Sequence, residues 1–225
     1  VKAVLDVTNG IAVAGAHGKT STTSMIGQIL VEGQMEPTVI IGGEVDYLKG
    51  SSCLGKGEYS VVEADESDGS FLKLRPKTIV VCGDNDNIRY VMSKVERQFI
   101  TYGLEESNDY VAKNIHYEDS SLVYDVVRKG ETLSRVSLRV PGNHNVLNSL
   151  ASFIVAHECC HVPVPSIVKA LGKFIGAKRR FETKGHVAGV WVVDDYAHHP
   201  TEIKATLKAA KELEKHRVIC VFQPH

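Results

Sequence analysis

No apolar run in this 225-residue chain is long enough to span a bilayer, and its first residues lack the pattern of a secretory signal. The five cysteines, Cys53, Cys82, Cys159, Cys160 and Cys220, show no C-x-x-C spacing, which argues against a structural zinc site. An odd number of thiols without a framework predicts reduced cysteines and a cytoplasmic protein. Neither charge dominates: 26 basic against 27 acidic residues leave a formal net charge of −1, so no bulk attraction draws the chain to nucleic acid or anionic membrane. Internal repeats and low-complexity tracts are also missing. What remains is an ordinary globular composition, 43% hydrophobic and 24% charged, in a length that suits one large domain or one domain plus part of another.

Apolar runs alternate with helical patterns, the signature of an α/β protein with a mostly parallel sheet. The expected strands are residues 11–14, 38–41, 59–63, 78–82, 190–194 and 218–222, and the expected helices 19–32, 145–157, 164–173 and 200–215. Residues 122–127 and 132–140 alternate around Arg128-Lys129-Gly130-Glu131 and read as an antiparallel hairpin on the sheet edge. A charged stretch from Ala177 to Lys184 precedes a fresh strand–helix–strand series, which places a domain boundary near Thr183. The piece after it is too small to bury a core alone, so the chain reads as cut at its C-terminus. At Val80-Val81-Cys82-Gly83-Asp84-Asn85 a buried strand runs straight into an acidic turn, where a crossover helix is expected. Either the loop is short or residues are missing there.

Ile11-Ala12-Val13-Ala14 enters Gly15-Ala16-His17-Gly18-Lys19-Thr20-Ser21, and a helical pattern follows with Met25, Ile26, Ile29 and Leu30 on one face. Strand, glycine turn, Lys-Thr and helix together predict a phosphate cradle. Backbone N–H groups and the helix N-terminus meet the anion, Lys19 adds a point charge, and the Thr20 hydroxyl reaches Mg²⁺. The usual loop has a glycine where Val13 stands, so this one is a G-x-x-G-K-T variant. An ordinary strand-to-helix turn would use the glycines but leave the Lys-Thr pair unexplained.

Glu63-Ala64-Asp65-Glu66-Ser67-Asp68 follows a strand, where a second Mg²⁺ contact is expected beside a phosphate loop; alone it would read as a solvated acidic loop. In Pro141-Gly142-Asn143-His144-Asn145-Val146-Leu147-Asn148, Asn145 and Asn148 share a helix face and suit a purine edge; equally, Asn143 suits a helix cap with the others solvated. Asp194-Asp195-Tyr196-Ala197-His198-His199-Pro200-Thr201-Glu202 leads from a strand into a helix with Pro in its first turn. Neighbours on an extended chain point opposite ways, so a ligand contact fits this stretch better than a metal. Arg179 and Arg180 suit either a solvated pair or a phosphate contact.

Together these six ordered segments, ending in Phe222-Gln223-Pro224-His225, resemble the Mur ligase family. His17-Gly18-Lys19 and the double histidine favour its alanine-adding branch. The resemblance implies a three-domain, cytoplasmic enzyme of peptidoglycan synthesis, monomer or dimer. ATP phosphorylates the lactyl carboxylate of UDP-N-acetylmuramate, and the amine of L-alanine attacks the acyl phosphate. It implies a P-loop central domain over residues 1–182 and the start of a Rossmann-like domain over 183–225, with ATP and Mg²⁺ as cofactors. Gly15, Ala16, His17, Gly18, Lys19, Thr20 and Ser21 would surround the ATP phosphates, with Thr20 and Glu63 on Mg²⁺. Asn145 and Asn148 would lie near the adenine, Arg180 near the phosphates and Asp195 at the ribose. Tyr196 and His198 would face the incoming alanine, with Lys19 and His198 as the catalytic groups. A recycling ligase that attaches a tripeptide, a small-molecule kinase and a non-catalytic nucleotide-binding fragment are the alternatives.

Four departures from the family stand out. The domain expected to hold the uridine nucleotide is absent ahead of the loop. After residues 78–81 a segment with an Asp-His motif for a second Mg²⁺ is absent, as are arginines beyond His225. Ala16 stands where a threonine is usual, a change of modest effect where backbone amides do the cradling.

Overall fold

The computed structural model describes residues 5, 7–64, 74–213 and 217–223. β1 (Asn9–Val13) enters the glycine turn and α1 (Lys19–Glu32) leaves it. β2 (Thr38–Val45), β3 (Gly50–Cys53) and β4 (Tyr59–Glu63) complete a four-stranded sheet in the order β1-β4-β2-β3. β4 pairs in parallel with both β1 and β2, while β3 runs antiparallel at the edge. Consecutive Val61 and Val62 point to opposite faces of β4 and are both fully buried, as a covered parallel strand requires.

A second sheet holds β5 (Thr78–Cys82), β6 (Gln98–Gly103), β7 (Tyr110–Glu118), β8 (Ser121–Arg128) and β9 (Glu131–Leu138) in sequence order. β5, β6 and the start of β7 are parallel, and β7-β8-β9 is an antiparallel meander. The β5-to-β6 crossover contains α2 (Asp86–Met92), whose start is capped by Asn85: its side chain accepts from the backbone N–H of Asn87 and Ile88. The acidic turn after β5 is therefore a helix cap.

α1 packs on α3 (Asn143–Ile154), on α4 (Val164–Lys173) and on β2 and β4 of the first sheet. On the other side, α3 covers β5 to β8 and α4 covers β9. One hydrophobic core therefore joins both sheets. It takes Met25, Ile26, Ile29 and Leu30 from α1, Val61 from β4, and Tyr110, Tyr124, Phe153 and Ile154 from the far side. Tyr124 Oη sits 2.7 Å from Ser149 Oγ, so its one polar atom is satisfied inside the core. α3 continues into a wider π-type turn over Val155–Cys159, and the buried thiol of Cys160 follows.

The carboxy-terminal segment is thinner. β10 (Glu182–Val187) and β11 (Val190–Asp194) form a two-stranded antiparallel hairpin, and α5 (Pro200–Leu213) follows with Ala209 as its single buried residue.

The structure corrects several expectations. The α/β class holds, but the mostly parallel sheet is divided in two, because β5 finds its parallel partner in β6 after the α2 crossover rather than in β1 or β4. β1 starts two residues earlier than expected, and β2 runs four residues further. The helix expected over 145–157 starts at Asn143 and ends at Ile154, its last turn widening into the π-type segment. The expected hairpin is two strands of a three-stranded meander. Residues 218–222 form no strand: an extended segment needs a neighbour for its hydrogen bonds, and none pairs with it among the described residues. The expected helix over 200–215 is described as far as Leu213, and residues 214–215 lie outside the described residues, as do Asp65–Asp68 of the acidic motif and Pro224 and His225.

Candidate active site

β1 and β4 pair in parallel register with Val13 opposite Glu63, and the Ala64 N–H donates to the Val13 carbonyl at 2.9 Å. The glycine loop and the acidic end of β4 therefore emerge side by side at the carboxyl edge of the sheet. Gly18 caps α1 at φ 77°, in the left-handed region, with no side-chain cap and no acidic residue in the helix's first turn. The first-turn N–H groups of α1 are thus left open to an anion. A Cβ at Gly18 would lie 2.5 Å from Asn148 Oδ1, so α3 closes directly on the loop and only glycine fits.

Thr20 Oγ1 donates to Glu63 Oε1 at 3.1 Å, and the Gly42 N–H donates to Glu63 Oε2 at 2.8 Å. Gly42 and Gly43 keep this corner clear: a Cβ at Gly42 would meet Glu63 Oε2 at 2.8 Å, and one at Gly43 would meet Thr20 Cγ2 at 3.2 Å. Lys19 Nζ donates to the Gly15 carbonyl at 2.8 Å, folded back over its own loop.

Beside the loop lies a cavity of about 250 Å³. Its walls combine Val140, Leu147, Phe174 and Phe181 with His17, Gly18, Thr20, Ser21, Asn145, Asn148, Arg180, Asp195 and Glu202. Apolar faces with a few converging polar groups suit a flat heteroaromatic ring carrying an anionic tail. Asn143 is not the cap of α3, since Gly142 takes that position and Asn143 is the first helical residue. Asn145 Nδ2 donates to the Pro141 carbonyl at 2.8 Å, and Asn148 Nδ2 donates to Asn145 Oδ1 at 3.3 Å. Asn145 is thereby locked in place, and Asn148 keeps its oxygen and one N–H for other partners.

On the opposite wall, Arg179 and Phe181 both adopt positive φ, near 59° and 52°, in the turn that presents Arg180. Asp195 braces this turn, accepting from the Phe181 N–H at 2.8 Å and the Ala197 N–H at 2.7 Å. The Arg179 guanidinium lies 4.7 Å above the Tyr196 ring, a cation–π contact. Tyr196 and His198 stand together outside the cavity walls, rings 5.3 Å apart, with His198 Nδ1 3.1 Å from the Tyr196 carbonyl. Gly15, Ala16, Lys19 and Glu63 are not among the wall residues, although Glu63 is hydrogen-bonded to Thr20, which is.

The family model described as "Mur ligase middle domain" matches residues 66–156, and that described as "Mur ligase, glutamate ligase domain" matches residues 179–225. The UDP-N-acetylmuramate–L-alanine ligase of Syntrophus aciditrophicus (strain SB) is 41% identical over 251 residues, covering 96% of this chain and 52% of the relative. The chain belongs to the Mur ligase family. The solved UDP-N-acetylmuramate-alanine ligase of Thermotoga maritima superposes with a TM-score of 0.80 at 28% identity, over 96% of this chain and 56% of that one. A murein peptide ligase of Psychrobacter arcticus 273-4 gives 0.70, also at 28%, over 92% and 55%. This Mur ligase chain spans about half the length of the curated relatives it matches.

Among the cavity residues that reading the Mur ligase sequence alone left out, Cys82, Tyr102, His144 and Glu202 carry titratable groups. Cys82 and Tyr102 arrive from the carboxyl ends of β5 and β6. His144 sits in the first turn of α3; burial holds its imidazole below the ordinary value, Asp195 opposing this and Arg180 adding to it. Glu202, on the first turn of α5, also belongs to the wall. Its place in the Asp194–Glu202 motif was visible, but an acid near a helix start reads first as a cap. Magnesium asks for few protein ligands and keeps waters and phosphate oxygens. The cleared corner with one hydroxyl and one carboxylate fits that demand, and no group of three or more His, Cys, Asp or Glu that could hold a metal ion occurs among the described residues.

Proposed function

We propose that this chain carries the ATP-binding machinery of a cytoplasmic ligase that joins L-alanine to UDP-N-acetylmuramate in peptidoglycan synthesis. The observation that carries the reading is the convergence on one cleft of an uncapped α1, the Thr20–Glu63 corner and the Asn148–Arg180 walls. Likeness to the Thermotoga maritima alanine ligase, closer than to the murein peptide ligase, supports L-alanine over a peptide as the acceptor amine.

The residues divide the work by position. The backbone amides of Gly15 to Ser21 and the start of α1 hold the phosphates, and Lys19 and Arg180 supply positive charge to them. Thr20 and Glu63 would hold Mg²⁺, which when bound shields the phosphate oxygens. Asn145 and Asn148 face the adenine and Asp195 the ribose. Tyr196 and His198, exposed in the turn before α5, would meet the amino acid. Transfer of a phosphoryl group to a carboxylate needs chiefly alignment and neutralised charge, and the amine then displaces phosphate from the activated carbonyl.

We also infer a division of the chain near residues 182–183, and a shortfall of residues near 81–82, where β5 passes straight to the capped α2. The 251-position alignment with the Syntrophus relative, longer than this chain, supports the second inference.

The test is phosphate release from ATP with both substrates present, against each omitted in turn. Release should require UDP-N-acetylmuramate, rise with L-alanine and vanish in Lys19→Ala. Release that ignores L-alanine but responds to the tripeptide would move the protein to the recycling ligases. Absence of ATP binding by the folded chain would remove the nucleotide reading.

A further inference from the structure

Glu202 reaches from the first turn of α5 across the mouth of the cleft to the phosphate loop. Its Oε1 lies 3.4 Å from His17 Nδ1 and 3.6 Å from Arg180 Nη1. Its Oε2 accepts from the backbone N–H groups of both His198 and His199 at 3.4 Å, and lies 3.8 Å from His198 Nδ1. The rings of His17 and His199 meet 4.7 Å apart, and the Glu202 side chain is only 14% exposed. One carboxylate thus touches the phosphate loop, the arginine of the cleft and the turn that carries Tyr196 and His198.

A phosphate tail seated on the start of α1 brings several negative charges to the same place. A carboxylate and a phosphate at contact distance repel each other and compete for the same arginine. We propose that Glu202 is a placeholder for the phosphate tail: without nucleotide it holds Arg180 and His17, and on binding it yields them. This rests on the nucleotide reading of the cleft and adds a coupling to it. Once Glu202 moves, the His198 and His199 amides lose their acceptor, and the turn bearing Tyr196 and His198 is free to reset. α5 is the element that responds, because a single buried residue, Ala209, otherwise ties it to the core. Glu202 is a positioning residue here, acting through Arg180 and through the 196–200 turn.

The experiment compares the full chain with Glu202→Gln, which keeps an acceptor oxygen but removes the charge. Affinities for ATP, ADP, AMP and adenosine are measured by calorimetry, with thermal melting as a check that the variant is folded. ATP should bind the variant roughly two- to fivefold more tightly, the scale of a released, partly exposed ion pair. The gain should shrink with each phosphate removed and disappear for adenosine. An unchanged or weakened ATP affinity overturns the proposal, and so does a change shared equally by adenosine, which marks a general effect on the fold. In the unaltered chain, ATP should also speed hydrogen exchange in residues 198–213; protection there instead overturns it. Failure of the unaltered, folded chain to bind ATP at all would strike the nucleotide reading itself, a distinguishable result.

Discussion

α1 and α5 are both 14 residues long, and both begin at the cleft, yet they are held in opposite ways. α1 is enclosed: Met25, Ile26, Ile29 and Leu30 lie in the core, and even Thr23 and Ser24 are fully buried, their hydroxyls donating to the carbonyls of Lys19 and Thr20. α5 buries only Ala209 and meets the cleft through Glu202, Thr201, Ala205 and Thr206. Hydrophobic burial is strong and insensitive to direction, so α1 fixes the phosphate loop rigidly to both sheets. Ion pairs and hydrogen bonds are weaker and exchangeable, so α5 is suited to answer a ligand. A site built between two such helices has one wall that measures and one that moves.

The comparison breaks most visibly in the core. Ile29→Ala should cost about 3 kcal/mol of global stability, seen as a lower denaturant midpoint with all probes moving together. A loss confined to one sheet would show that the two sheets do not share a core. Gly18→Ala should come next. Strain at positive φ and the clash with Asn148 together cost roughly 1–2 kcal/mol and displace the loop, so ATP affinity falls about tenfold or more. Adding Asn148→Ala should relieve the clash but not the strain at φ 77°, recovering part of the stability and none of the affinity; full recovery of affinity would remove Asn148 from the proposed nucleotide contacts.

His144 gives a smaller effect with a direction. It lies where α3 meets α5, and burial holds its imidazole below 6.5. The unfolded chain then binds a proton that the folded one refuses, so stability is full above pH 6.5 and declines as pH falls below it. Glu32, Asp125, Glu158 and Glu202 are shifted down from their ordinary values of 4.5 or 3.8, so their contributions fade only in more acidic solution. His144→Gln should flatten the melting temperature between about pH 5 and 7, by roughly 1 kcal/mol at the acid end; an unaltered slope would place the titration elsewhere. Smallest of all, Lys208→Ala removes an exposed pair with Glu212 on α5 and should change stability by no more than about 0.3 kcal/mol.

Much of the phosphate-loop half was legible because its signals are local. α1, β4, β5 and α4 have the bounds their apolar runs and flanking glycines or prolines suggest. β6 and β7 escaped notice because their pattern is interrupted by Thr, Gly, Lys and Asn, and their pairing is decided by β5 and β8. α2 escaped because none of its residues is buried, leaving no apolar face to read. Glycine geometry marked the loop residues, whereas spacing left Asn148 open between a ligand contact and a solvated helix face, and only the structure brings it against Gly18. Glu202 and His144 could not be named from spacing, because their roles depend on two elements meeting across the cleft. Nor could the fate of residues 218–222, where an apolar alternation supplies only half of a strand and a neighbour must supply the rest.

The five thiols grade the molecule from outside to inside. Cys220 is exposed, Cys53, Cys82 and Cys159 are half-buried, and Cys160 is buried, with desolvation and its neighbour Cys159 pushing its thiol up to about 12. An alkylating reagent should therefore capture Cys220 within the mixing time and reach Cys160 only when the shared core opens. With no probe added to the chain, the rate at which Cys160 is lost becomes a clock for whole-molecule opening, and the rate at Cys82, on the cleft wall, a clock for the site.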